Sequence, residues 1–269
     1  MSSSMKFNLT IFMYSFLQTP FLFASEEQQI TRADFSQQTN NISSSWNALT
    51  FGSIEKHTSY TLVKDQNINV VKAQSNQSAS GLTKNIRFNP KEYPYLSWRW
   101  KVNKAITGTD VTLKSGDDYA ARVYVIFKYD LKDLSKAEQS RVNWYKFFNG
   151  KLPPLATLNY IWANKMELGR IVSSPYTERV KMVILKNKDS ALHEWHVEER
   201  NIYEDYIKAF AEEPKDVISL AIMTDTDNTK ASAESYFGDI VISKTPIVKN
   251  SSINKIVTNT TQVINSPSK

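Results

Sequence analysis

Two carboxylates and an amide crowd into Met223-Thr-Asp-Thr-Asp-Asn-Thr229, and a third carboxylate follows in Tyr236-Phe-Gly-Asp-Ile240. Asp225, Asp227 and Asn228 offer the hard oxygen donors that calcium prefers, and Asp239 joins them if the last strand pairs near the end of the Val217 strand. The spacing is not that of an EF-hand, because Lys230 stands at position six of such a loop and Tyr236 at position twelve. Three readings stay open: a turn whose Asp and Asn side chains bond their own backbone, bound calcium, and contact with an organic ligand.

A second group surrounds Gly116-Asp117-Asp118, just ahead of a strand carrying Arg122 and Tyr124. Alternation turns Arg122 away from Val123 and Val125, which predicts a polar surface shared with Asp118. A guanidinium is a rigid donor fork that can grip a carboxylate or a sugar hydroxyl, and the plainer alternative is a structural ion pair. Arg99, with Lys101, sits on the polar side of another strand.

Histidines and carboxylates gather in His193-Glu-Trp-His-Val-Glu-Glu-Arg200. On a strand, His196 shares a face with Glu194, Glu198 and Arg200, while Trp195, Val197 and Glu199 take the other. Asp118, His196 and Glu198 are the candidates for catalysis, as a general base or as two carboxylates about 5 Å apart for retaining glycoside chemistry. A cross-strand ladder of ion pairs is the alternative. Trp98 and Trp100 fall on an apolar face and belong in a core, whereas Trp162, beside Asn164 at a strand end, suits ligand binding. The ligand-contact set is thus Arg99, Asp117, Asp118, Arg122, Tyr124, Trp162 and Arg200. No glycine-rich phosphate loop, His-Glu-x-x-His or Gly-x-Ser-x-Gly motif is present.

The elements that must position these groups are mostly strands. Leu96, Trp98, Trp100 and Val102 alternate with Ser97, Arg99 and Lys101, and the same two-residue period marks Tyr119 to Tyr129. Further strands are expected at 59–64, 68–74, 79–83, 157–162, 179–186, 194–200, 217–224 and 236–243. Val217 to Met223 is apolar on both sides and should lie centrally. Helix is expected over Ser135 to Phe148, closed by Pro153-Pro154, and from the Asn201 cap to Ala211. The fold class is therefore all-β, an antiparallel β-sandwich of jelly-roll, galactose-binding-like type with one or two short helical excursions.

Residues 1–24 read as a cleaved export signal, with one positive charge, an apolar stretch and Ala24 before Ser25-Glu-Glu. An uncleaved anchor is the rival, but Asn8, Thr10, Gln18 and Pro20 interrupt a run that is short for a roughly 20-residue span. Residues 30–248 form one domain, and 249–269 a disordered polar tail. With no cysteine among 269 residues the exported chain must rely on its core, and cysteine metal sites and nucleophiles are excluded. The net charge of +6 is spread among acids, which argues against nucleic acid and leaves a mild preference for anionic partners.

Tyr93-Pro-Tyr-Leu-Ser-Trp-Arg-Trp-Lys101, Gly116-Asp-Asp-Tyr-Ala-Ala-Arg-Val-Tyr-Val-Ile-Phe127, Glu198-Glu-Arg-Asn-Ile-Tyr-Glu-Asp-Tyr206 and Met223 to Thr229 together resemble a bacterial family, domain of unknown function 3047. The resemblance spans Trp46 to Ser243. It implies an exported bacterial protein and no established reaction. Ala211 departs from the glycine expected after Phe210. The expected function is non-catalytic binding of a glycan or anionic envelope component in the periplasm or outside the cell, with no membrane span after signal cleavage. An envelope polysaccharide hydrolase or lyase and a structural partner in an envelope assembly are the alternatives.

Overall fold

The computed structural model describes residues 29–52, 54–140 and 156–247. The expected signal segment, the tail, Trp144 and most of the helix expected before Phe148 lie outside them. The described start of that helix, Lys136 to Ser140, is helical. Ser135 caps it reciprocally: Glu138 N–H donates to the Ser135 hydroxyl at 3.3 Å, and Ser135 N–H to the Glu138 carboxylate at 2.8 Å.

Thirteen strands form two sheets among the described residues. They are β1 (Gln29–Ala33), β2 (Asn47–Leu49), β3 (Ser59–Asp65), β4 (Ile68–Asn76), β5 (Ala79–Phe88), β6 (Tyr95–Lys104), β7 (Arg122–Phe127), β8 (Thr157–Trp162), β9 (Ile171–Ser174), β10 (Thr177–Lys186), β11 (His196–Asn201), β12 (Val217–Asp225) and β13 (Ser232–Ser243). The first sheet runs β11-β6-β13-β4-β3, with β1 beside the second half of β13, and the second runs β2-β5-β12-β7-β8-β10-β9. The β-sandwich reading holds. All pairings are antiparallel except β8 with β10, which run parallel, and β1, β2 and β9 are strands that the hydrophobic pattern did not announce.

The inner faces follow the alternation. Leu96, Trp98, Trp100 and Val102 of β6 meet Val123, Val125 and Phe127 of β7 and Leu220 and Ile222 of β12 in one core. β12 lies between β5 and β7 and is covered on nearly its whole length, as its two-sided apolar sequence requires. A second, smaller cluster lies on the outer face of the second sheet, where Val111 and Tyr119 from the β6–β7 connection pack on Ile161, Met182 and Ile184. The connection therefore covers one end of that face.

The helix Ile202–Phe210 is capped by the Asn201 side chain, which accepts from Glu204 N–H at 3.1 Å. It ends at Ala211 in the left-handed region, φ 56°, a conformation that favours glycine.

Candidate functional site

At one end of the second sheet the last residues of β12 are pinned in alternate directions. Thr224 points between the sheets and is hydrogen-bonded to the Ser235 hydroxyl of β13 at 2.6 Å. Thr226 reaches Ser75 of β4 at 2.8 Å. Asp225, between them, must face outward, where β7 presents Arg122. The guanidinium meets Asp225 with two donors, Nε to Oδ1 at 2.8 Å and Nη2 to Oδ2. It also donates to the Tyr124 hydroxyl at 3.0 Å and lies 4.1 Å from the centre of the Tyr119 ring. Asp117 stands 3.6 Å away. Burial works against the Arg122 charge, and the carboxylates of Asp225 and Asp117 overcome it and hold it protonated.

The expected polar surface is thus a buried cluster. The face assigned to Arg122 is right, but Arg122 is 4% exposed and Asp118 fully buried, because the β6–β7 connection, which carries Asp118, folds over Arg122. Asp118 does not pair with Arg122. Its carboxylate accepts from the backbone of Asn228 at 3.1 Å and from the N–H and hydroxyl of Thr229, clasping the 225–230 turn from the opposite loop.

Asp118, Asp225 and Asp227 each offer an oxygen within 4.8 Å of the others. Asp118 replaces Asp239 in the acidic group expected from sequence. Asp239 accepts instead from the backbone and hydroxyl of Ser36, because a bulge in β13 turns it toward the start of the sandwich. Asn228 supplies a backbone donor to this group. Calcium takes six to eight oxygens, whereas the oxygens of Asp225 and Asp118 already accept from Arg122, Tyr119, Asn228 and Thr229. Asp118 thus ties the 225–230 turn by three hydrogen bonds. Burial pushes the carboxyls of Asp117 and Asp227 up, and one oxygen of Asp117 has no partner.

The residues of β11 are also committed to structure. Glu198 accepts from Trp100 Nε1 at 3.0 Å and from Lys186 at 2.7 Å. His196 lies edge-on to Trp162, with Nε2 2.9 Å from the Ala191 carbonyl. Arg200 grips Asp205 of the helix with two donors, and Tyr160 donates to the same carboxylate at 2.8 Å. Asp118, His196 and Glu198 do not converge. Trp162, expected at a ligand, is 2% exposed and packs against Trp100, since its strand lies inside the sheet and a strand's end is not necessarily its surface.

The outer face of the first sheet is different. Arg99 and Lys101 rise from β6, and Trp195, just before β11, lies across both, its ring centre 4.5 Å from the Arg99 guanidinium and 5.3 Å from the Lys101 ammonium. Asp65, the last residue of β3, accepts from Trp195 Nε1 at 3.1 Å and from Lys101. Tyr236 of β13 flanks Lys101 at 4.4 Å. Opposite Arg99 the register slips, so that Gly238 and Asp239 face one residue of β6. A Cβ at Gly238 would stand 2.5 Å from Arg99 Cγ and Nε, so only glycine leaves the groove in which that side chain lies. Among the described residues the Arg99 guanidinium has no hydrogen-bond or ion-pair partner, its contact being the Trp195 ring. Burial lowers its pKa, with Asp239 and Asp65 opposing. Arg99 was legible as a candidate. Trp195 was one of several tryptophans that suggested sugar stacking, whereas Asp65, Tyr236 and Gly238 were not singled out for this face, although a lone glycine within a strand is a bulge signal.

These features define a two-sheet β-sandwich with a buried acid–arginine clasp at one end and an aromatic and cationic outer face. The chain belongs to the family described as protein of unknown function DUF3047, whose profile matches residues 44–241. No curated protein matches it. Similar solved structures include the family 11 carbohydrate-binding module of a cellulosomal cellulase of Clostridium thermocellum, at 9% identity and TM-score 0.37, covering 79% of this chain and 92% of that one. The K3 cleaved adhesin domain of Lys-gingipain from Porphyromonas gingivalis W83 is similar at 11% identity and TM-score 0.36, over 80% and 99%.

Proposed function

We propose that this protein is a non-catalytic binding module for a glycan or similar hydroxyl-rich component of the cell envelope, and that the ligand lies on the outer face of the first sheet. The observation that carries the reading is Trp195. Its ring covers the Arg99 and Lys101 side chains with one face and is pinned at Nε1 by Asp65, yet it stays half-exposed. A fixed aromatic plate suits the apolar face of a pyranose ring, and Tyr236, Glu234, Gln74 and Asn103 nearby supply donors and acceptors for hydroxyls. A plate held in place in the free protein loses little entropy on binding. The lack of a catalytic role is supported by the internal partners of Asp118, His196 and Glu198. Export is supported by the first 24 residues, and among the described residues no helix is long and apolar enough to cross a membrane.

A glycan array with the mature protein tests the reading. Wild type should bind at least one glycan class, and Trp195→Ala should abolish that binding, whereas Tyr176→Ala, which removes an exposed aromatic elsewhere, should not. A blank array, or binding by Trp195→Ala equal to wild type, would overturn it.

A further inference from the structure

Among the described residues, Arg99 is the cation of this face that has no carboxylate in contact. Arg87, Arg122, Arg179 and Arg200 each hold a carboxylate, and Lys101 and Lys72 on the same face hold Asp65 and Glu234. Arg99 holds none, although it is half-buried and fixed in place, between Gly238 below and the Trp195 ring above. Glycine at 238 and the bulge around it make room for the side chain, and bulges commonly re-aim side chains at binding sites. A guanidinium fixed in orientation, with unspent N–H donors, is the half of a fork-to-fork pair that a protein can prepare before its ligand arrives.

From this geometry we infer that Arg99 is the specificity residue of the face and takes the carboxylate of an acidic sugar, so that the ligand is a carboxylated glycan rather than a neutral one. The inference rests on the binding role of this face. Charge selects a carboxylate over a phosphate ester. Arg99 has no carboxylate in contact, while Asp239 and Asp65 act on it electrostatically from a distance, so a monoanion is favoured over a dianion, which these two carboxylates repel more strongly. The planar fork also fits the two coplanar oxygens of a carboxylate. Trp195 would stack on the ring that bears the acid, and Asp239, fixed by Ser36, is placed to accept from a hydroxyl.

The test is titration calorimetry with a panel of uronate-containing oligosaccharides, each paired with its carboxyl-reduced counterpart, together with one sugar phosphate. Wild type should prefer the acid of at least one pair by about ten- to hundredfold, the scale of a charge-assisted bidentate contact, and should not prefer the phosphate. Arg99→Gln should bind both members of that pair equally, and Arg99→Lys, which keeps the charge and loses the fork, should fall between. Because Arg99 has no hydrogen-bond partner to lose, both variants should melt close to wild type, which separates lost recognition from lost folding. Equal binding of acid and neutral forms by wild type, a preference for the phosphate, or an acid preference surviving in Arg99→Gln would overturn the inference and leave the binding face standing. Absence of binding to every member would overturn both.

Discussion

Replacing Arg122 by methionine keeps much of the length and packing of the side chain and removes the guanidinium that answers Asp225. Asp225 is 3% exposed and would retain the Tyr119 N–H at 3.2 Å as its donor. The Asp117 carbonyl and the Tyr124 hydroxyl lose their donor as well. Removing one partner of a buried ion pair costs about 3 to 5 kcal/mol, because the other charge stays buried without compensation. For a domain of this size that is a fall in melting temperature of roughly 6 to 20 °C. Burial, with Asp117 and Asp118 beside it, already raises the Asp225 carboxyl above its unfolded value, and without Arg122 to oppose them the rise is larger, so the protonated form is the one the fold tolerates. Its contribution is then present below the unfolded carboxyl range and is lost as pH rises through the folded pKa. The deficit against wild type should be smallest near pH 4 and largest at pH 7. Urea unfolding followed by tryptophan fluorescence across that range measures it. Arg122→Met with Asp225→Asn, which keeps an acceptor for Tyr119, should recover part of the loss, with a coupling of about 0.5 to 3 kcal/mol. A loss under about 1 kcal/mol at pH 7, or one that neither pH nor the second substitution relieves, would refute the reasoning.

Ala211→Gly should raise stability by about 0.5 to 1 kcal/mol, since Ala211 ends its helix at φ 56° and glycine reaches that region without a Cβ clash; an unchanged or lowered melting temperature would count against it. Asp117→Asn should stabilise at pH 7, because burial raises the Asp117 carboxyl and one oxygen is unpartnered. Wild type loses this stability as pH rises through the raised pKa, so the variant's advantage should shrink toward pH 4, and calorimetry at both values checks the sign.

Much of the architecture was legible because it is local. Alternation in Tyr95 to Val102 assigned Trp98 and Trp100 to the core and Arg99 to the opposite face, since side chains on a strand have a period of two whatever surrounds them. The apolar run of Val217 to Met223 placed β12 inside a sheet, and Asn201 announced its helix through a side chain that reaches three residues along the chain. Each of these depends on neighbours within one turn or one pleat. The short strands β1, β2 and β9 and the parallel pairing of β8 with β10 were not legible, because they are set by what the rest of the fold leaves open at the sheet edges.

The two arginines mark where sequence stops. Arg99 and Arg122 have the same signature, a cation on the polar side of an alternating strand, and alternation says which way each points but not what lies over it. Tertiary structure decided that. The β6–β7 connection, anchored by Val111 and Tyr119, folds over Arg122 and makes it a buried tie between β7 and β12. Over Arg99, among the described residues, Trp195 is laid, and Gly238, remote in sequence, opens the space beneath. Covering a face requires a segment that is close in space and distant in sequence, and no local periodicity carries that information. Composition and pattern thus determined the strands and the direction of each charged side chain. Long-range packing determined which of those charges became a buried tie and which, among the described residues, kept no carboxylate partner.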